Sequence, residues 1–182
     1  MIILSGSSGV GKNTIINELL KTEQFEFMPT MTTRATRAGE KSGNPYFFVS
    51  KEEFEQKIAN GEFFEWERLH NENYYGTHRQ TLQNALQSGK MLIKDIDVLG
   101  TLNLKKILQK ENIPCVSIFL TVEKEILYQR LAGRGERDIE IRLQRFEMEQ
   151  SHSSCYDFII NNTDKDVTVA EILKISKGLK IV

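Results

Sequence analysis

Lys12, at the end of Gly6-Ser7-Ser8-Gly9-Val10-Gly11, has the surroundings that most directly specify a chemistry. Glycines permit backbone angles that a side chain forbids, so successive N–H groups can turn toward one anion. The run lies between a short apolar stretch, Met1-Ile2-Ile3-Leu4, and apolar residues at helical spacing, Ile15, Ile16, Leu19 and Leu20. Strand, loop and helix in that order aim the positive end of a helix dipole into the loop, and Lys12 adds a full charge for outer phosphates. Gly6, Gly11 and Lys12 satisfy G-x-x-x-x-G-K-[ST], but Asn13 stands at the last position and Thr14 follows one place late. The hydroxyl normally found there ligates magnesium. Asn13 offers a carbonyl oxygen instead, or the metal is held by phosphates, water and carboxylates elsewhere.

Five further clusters carry chemistry-bearing side chains. In Thr30-Met31-Thr32-Thr33-Arg34-Ala35-Thr36-Arg37-Ala38-Gly39-Glu40, two arginines three apart among hydroxyls suit a bidentate grip on phosphate, or form a polar surface loop. In Glu62-Phe63-Phe64-Glu65-Trp66-Glu67, strand alternation sets Phe64 with Trp66 on one face and Glu65 with Phe63 on the other. Glu65 is then either a carboxylate that accepts two hydrogens from a purine edge or a solvated edge-strand charge. Asn73-Tyr74-Tyr75-Gly76-Thr77 offers a tyrosine hydroxyl beside a glycine turn, within reach of a phosphate or simply packed. Lys94-Asp95-Ile96-Asp97 ends an apolar run, and a period of two sets Asp95 and Asp97 on one face. Two acids there call for a metal ion, an arginine or a nucleobase amine, unless they only cap the next helix. Lys94 points the other way, to pair with an acid or lie near the strand's open end. Finally, Arg130, Arg134, Arg137, Arg142 and Arg145 surround Gly133 and Gly135. Arginines beside glycines suit a mobile flap closing over transferring charge, although Arg130 and Arg145 also fit an ordinary charged helix face.

These side chains need a scaffold, and the apolar pattern supplies one. Strand-length apolar runs span residues 1–4, 91–97, 116–120 and 158–160, separated by helical patterns over 12–21, 98–110, 123–132, 139–150 and 169–177. Alternating strands and helices predict an α/β protein with a parallel sheet covered on both faces and ligands beyond the carboxyl ends of its strands. Residues 28–77 break the rhythm, with short strand-like pieces at 46–49, 62–68 and 73–75. A helix between them opens on the capping box Ser50-Lys51-Glu52-Glu53 and stops near Gly61. A small mixed α/β lobe inserted into the main sheet is expected, followed by a helix capped by Thr77-x-x-Gln80 that ends before Gly89.

At 182 residues the chain suits one domain able to bury a sizeable core. A net charge of −1 implies no general affinity for nucleic acid or anionic membranes, so phosphate binding must come from local arginine placement. Cys115 and Cys155 suggest neither a disulfide framework nor a zinc site, and Cys115 reads as a small hydrophobe in an apolar run. The opening apolar run is too short for a signal peptide and no run is long enough to span a bilayer, so a cytoplasmic location is expected.

Taken in order, these clusters resemble the guanylate kinase family nearly end to end. The marks are the loop through Lys12, Thr32-Thr33-Arg34-Ala35-Thr36-Arg37-Ala38-Gly39-Glu40, Gly61-Glu62-Phe63-Phe64-Glu65-Trp66, Asn73-Tyr74-Tyr75-Gly76-Thr77, Asp95-Ile96-Asp97 and Arg130-Leu131-Ala132-Gly133-Arg134-Gly135. The resemblance implies a P-loop NTPase fold: a core over residues 1–29, 78–131 and 143–182, a GMP-binding lobe over 30–77 and a short lid over 132–142. It implies transfer of the γ-phosphate of ATP to GMP with Mg2+, with dGMP left open as a further acceptor, in a monomer or homodimer without nucleic-acid or membrane partners.

By the same resemblance, Gly6, Ser7, Ser8, Gly9, Val10, Gly11, Lys12, Asn13 and Thr14 hold ATP, with Asn161 near its adenine. Arg34, Arg37, Tyr46 and Tyr75 clamp the acceptor phosphate, Glu65, Thr30 and Asp97 read the guanine edge, and Thr77 completes the GMP set. Lys12, Arg34, Asp95, Arg134 and Arg142 form the catalytic group, with magnesium on the ATP phosphates and Asn13 or Asp95 as alternatives for reaching it through water. Asn13 and Lys94 depart from the family pattern, and the lid is short. The alternatives are a non-catalytic binding module of the same fold, which typically lacks the loop lysine or lid arginines, and a kinase of a phosphorylated sugar such as ribose 1,5-bisphosphate.

Overall fold

The computed structural model describes residues 1–37, 39–43, 45–69, 72–136 and 138–179; Ala38 and Arg137, named above, lie outside the described residues. In chain order the elements are β1 (Ile2–Ser5), α1 (Lys12–Leu20), β2 (Phe25–Phe27), β3 (Thr30–Thr32), β4 (Lys41–Ser42), β5 (Pro45–Phe48), α2 (Lys51–Ala59), β6 (Phe63–Leu69), β7 (Asn73–His78), α3 (Arg79–Leu86), β8 (Met91–Asp95), α4 (Val98–Lys110), β9 (Val116–Thr121), α5 (Lys124–Ala132), α6 (Ile139–Gln150), β10 (Phe158–Asn161) and α7 (Lys165–Gly178).

Five strands form a parallel sheet in the order β10-β9-β1-β8-β2. Central β1 is apolar on both faces because both are covered. Ile2 and Leu4 join one core with Ile15, Ile16 and Leu19 of α1, Leu127 of α5, Phe146 of α6 and Ile172 of α7. Met1 and Ile3 join a second core with Leu82 of α3 and Leu104 and Leu108 of α4. Cys115 packs against this second core, and Cys115 and Cys155 are both free thiols. Among the described residues no helix is long and apolar enough to cross a membrane.

A second sheet runs β4-β5-β3-β7-β6, with parallel and antiparallel pairings mixed. Its own core is aromatic: Phe54 of α2 stacks on Phe63 at 4.3 Å and on Tyr74 at 5.2 Å between ring centroids. Helix α2 begins where the capping box predicts, with Ser50 Oγ accepting from the Glu53 amide at 3.1 Å.

Three expectations are corrected. The register shifts between Phe63 and Glu65, so Phe64 is an extra residue and simple alternation fails. Phe63 and Trp66 therefore both reach the Phe54–Tyr74 aromatic cluster, whereas Phe64 enters the core under the parallel sheet. The helix after β7 does not open on Thr77: His78 is its N-cap residue, and Thr77 stays in the strand with its hydroxyl on Glu65. Strand β8 stops at Asp95, and Asp97 lies beyond it as the cap of α4, accepting from the Gly100 amide at 2.8 Å.

Gly76 makes the bulge possible. A Cβ there would lie 2.8 Å from Phe63 Cδ1 and 3.0 Å from both the Glu65 carbonyl oxygen and Trp66 Cβ. We expect Gly76→Ala to destabilise the protein by about 1–3 kcal/mol through overpacking, read as a lowered midpoint in urea unfolding.

Candidate functional site

Pairing of Leu4 with Asp95 brings the carboxyl ends of β1 and β8 together, and the chain following each forms the floor of a cleft of about 750 Å³. The glycine-rich loop turns tightly there. Gly6 has φ +134°, and a Cβ on it would sit 2.2 Å from the carbonyl oxygen of Leu120, so the loop can run this close to β9 only without a side chain. Lys12, the first residue of α1, arches back over the loop. Its Nζ donates to the Gly6 carbonyl at 2.5 Å and the Ser7 carbonyl at 3.4 Å, and stands 4.0 Å from Asp95.

The loop is braced from behind. Arg130 donates to the carbonyls of Val10 at 3.0 Å and Asn162 at 2.9 Å, and Asn162 Nδ2 donates to the Val10 carbonyl at 2.7 Å. Arg130 is thus a strut of the loop rather than part of a solvated face. Its front is met by α6: Arg142 donates to Ser8 Oγ at 2.8 Å and pairs with Glu136 at 2.8 Å. Ser7 Oγ donates to Glu149 at 2.5 Å, and Arg145 Nε donates to the same carboxylate at 2.8 Å.

Opposite the loop, the mixed sheet supplies the other wall. Glu65 projects from β6, and the Thr77 hydroxyl donates to its Oε1 at 2.5 Å. Thr30, at the start of β3, accepts from Nζ of Lys94 at 2.8 Å. Lys94 has no exposed surface, which resolves the charge inside a central strand: it faces acids and a hydroxyl. Burial lowers its ammonium to about 8, against the pull of Glu65 and Asp95. Burial likewise pushes the carboxyl of Glu65 above the usual carboxylate range, with Lys94 and Thr77 opposing. Asp95 is raised for the same reason, with Lys12 and Lys94 opposing.

A branch of about 430 Å³ shares Asn13, Thr30, Arg37, Tyr46, Tyr75 and Asp95 with the main cleft and adds Arg34. Arg34 is held by Glu40, with Nη2 at 2.8 and 3.0 Å from the two carboxylate oxygens, and lies over the ring of Tyr46 at 5.0 Å. That bond raises the guanidinium further. Burial, and then Asp95, raise the Tyr46 hydroxyl.

Most of the residues singled out in the sequence meet around this space. Gly6, Ser7, Ser8, Gly9, Gly11, Lys12, Asn13, Thr30, Arg37, Tyr46, Glu65, Tyr75, Asp95, Asp97, Arg134 and Arg142 line the main cleft. Val10 is buried in the core, Thr77 is buried behind Glu65, and Thr14 and Asn161 are exposed outside the lining. Its neighbour Asn162, not singled out in the sequence, is the one turned inward to the loop. Arg145 and Glu149 also line the cleft, and Arg142, Arg145 and Glu149 recur at helical spacing on one face of α6. That periodicity was the available signal.

The arrangement can hold a chain of phosphates at the loop and present a donor–acceptor edge, Thr30 and Glu65, to a planar polar group across the cleft. Known proteins resemble the chain along nearly its whole length. The family model described as guanylate kinase matches residues 1–177. The chain is 39% identical to the guanylate kinase of Prochlorococcus marinus, covering 98% of this chain and 97% of that protein. It is 41% identical to that of Helicobacter pylori, covering 98% and 87%. A crystal structure of guanylate kinase from Anaplasma phagocytophilum superposes with a TM-score of 0.75 at 30% identity, covering 98% of this chain and 84% of that one.

Proposed function

The chain belongs to the guanylate kinase family, and from that premise we propose how its residues carry out the reaction. The enzyme transfers the γ-phosphate of ATP to GMP, giving ADP and GDP. Supporting the assignment of roles is one observation above the rest, the continuity of the cleft from Lys12 at the glycine-rich loop to Glu65 and Thr30 on the mixed sheet.

In this reading the loop amides and Lys12 hold the ATP phosphates, while Arg34, Arg37, Tyr46 and Tyr75 grip the phosphate of GMP. Glu65 accepts from the N1 and N2 hydrogens of guanine, Thr30 and Asp97 complete the reading of its edge, and Thr77 holds Glu65. The transferring phosphoryl group passes through a loose transition state with charge spread over its oxygens. Positioning and cations therefore do most of the work, and no general base is required. Arg134 and Arg142 supply cations from the lid side, where closure excludes water as a competing acceptor.

Magnesium fits this donor set. Asp95 is a cleft-facing carboxylate, and magnesium favours one or two carboxylates together with substrate phosphates and water. Among the described residues no group of three or more His, Cys, Asp or Glu is placed to hold a metal alone. We therefore assign the ion to the ATP phosphates, with Asp95 or Asn13 reaching it through water; when bound it neutralises phosphate charge. A cytoplasmic monomer or homodimer acting on free nucleotides suits the net charge of −1.

A coupled ADP-release assay with GMP, dGMP, AMP, UMP and ribose 1,5-bisphosphate tests the assignment. Turnover is expected with GMP and not with AMP, UMP or the sugar bisphosphate; turnover with the sugar bisphosphate alone would overturn it. Glu65→Ala is expected to raise the KM for GMP by roughly 10- to 100-fold, the worth of hydrogen bonds to a charged group, and to blur discrimination against AMP. An unchanged GMP preference removes Glu65 from the base-reading role.

A further inference from the structure

Lys94 sits in β8 beside the apolar core residues Leu92 and Ile93. It does not line the cleft, so anything it does there it does through its neighbours. An ammonium is taken out of water only at considerable cost unless its donors are matched. Here one donor is matched by the Thr30 hydroxyl at 2.8 Å, and the carboxylates of Glu65 and Asp95 lie close enough to act on the charge.

The direction of that hydrogen bond is fixed by chemistry. An ammonium has donors and no acceptor, so Thr30 Oγ1 must accept from it. The hydroxyl's own proton is then left to donate elsewhere, and Thr30 lines the cleft. Beside it, Thr77 occupies Oε1 of Glu65. The remaining carboxylate oxygen is an acceptor so long as the group is charged, which the neighbouring ammonium favours.

We propose that Lys94 is a specificity-determining positioning residue: it holds Thr30 as a donor beside Glu65 as an acceptor, which selects a 6-oxopurine nucleotide over a 6-aminopurine one. A 6-oxopurine presents a carbonyl acceptor next to an N1–H donor. A 6-aminopurine presents the reverse, an amino donor next to an unprotonated N1, so both positions are mismatched at once. The inference rests on the assignment of this wall to the acceptor base.

Steady-state kinetics with GMP, IMP and AMP on the native enzyme, Lys94→Met, Thr30→Val and the double variant test it. IMP keeps the carbonyl and N1–H of guanine but lacks the 2-amino group. Lys94→Met is expected to lower the ratio of kcat/KM for GMP over AMP by about tenfold or more, through KM, with kcat at saturating GMP within about threefold of native. GMP and IMP are expected to suffer alike, because they share the edge that Lys94 orients. Thr30→Val is expected to lower the ratio similarly, and in its background Lys94→Met adds less than about threefold.

A preserved GMP-over-AMP ratio in either single variant overturns the proposal, as do fully additive losses in the double variant. If Lys94→Met loses its melting transition and its ATP affinity, Lys94→Gln decides: its amide N–H can still donate to Thr30, so the GMP-over-AMP ratio is expected to stay within about threefold of native, and a collapsed ratio in the folded variant overturns the proposal. A native enzyme without preference for GMP over AMP overturns the assignment of the wall itself, a result distinct from any change among the variants.

Discussion

Lys12→Met is expected to lower kcat for phosphoryl transfer by on the order of 10²–10³-fold, the usual cost of removing one preorganised group aimed at developing charge. Lys12 side-chain surface is only 16% exposed, and its ammonium is poised over two loop carbonyls 4.0 Å from Asp95. The charge therefore acts in a cleft where water screens it little. Methionine retains a similar stem, so the melting temperature should change by no more than a few degrees. Lys12→Arg is not expected to rescue, because a planar fork does not fit where Nζ meets the Gly6 carbonyl at 2.5 Å. Single-turnover kinetics at saturating ATP and GMP separate this loss from weakened binding. A kcat within threefold of native would remove Lys12 from the transferring group.

Phe54→Ala is expected to cost about 3–5 kcal/mol, the range for deleting a large buried aromatic. Phe54 has no exposed surface and stacks on both Phe63 and Tyr74, so it is the keystone of the second sheet's core. Glu65 leaves the same strand as Phe63, and Tyr75 follows Tyr74, so loosening that core should misplace both. The KM for GMP should rise steeply. ATP affinity, which we assign to the loop between β1 and α1, should hold until global unfolding. Urea unfolding and ATP titration, measured side by side, check the pair of outcomes. Loss of ATP affinity in step with GMP affinity would mean that the mixed sheet is not the separate lobe we infer.

What could be read in advance divides along the range of the interactions. The loop from Gly6 to Lys12 and its flanking strand and helix are local, so glycine spacing and apolar period gave them away. The Asp97 cap and the Ser50 cap are local as well, and both form. Strand β2 has only Phe25-Glu26-Phe27, too few residues for alternation to register, yet it closes an edge of the parallel sheet. The bulge at Phe64 defeated alternation because that rule assumes an unbroken ladder. Helix α7 begins at Lys165, ahead of its apolar pattern, because Asp164 caps it by accepting from the amides of Asp166 and Val167. Lys94 was the hardest case. Its partners Thr30 and Glu65 lie in another sheet, and no pattern within a strand reveals a contact made across that distance in the chain.

The double grip of Arg130 and Asn162 on the Val10 carbonyl has a consequence for how the protein comes into being. The loop from Gly6 to Gly11 is synthesised well before the two side chains that steady it, Arg130 and then Asn162. A nascent chain halted at residue 150 would already hold every glycine of that turn and still lack one of its two clamps. If the loop holds ATP as we propose, competence to bind it should therefore arrive only once β10 has been made and docks against β9.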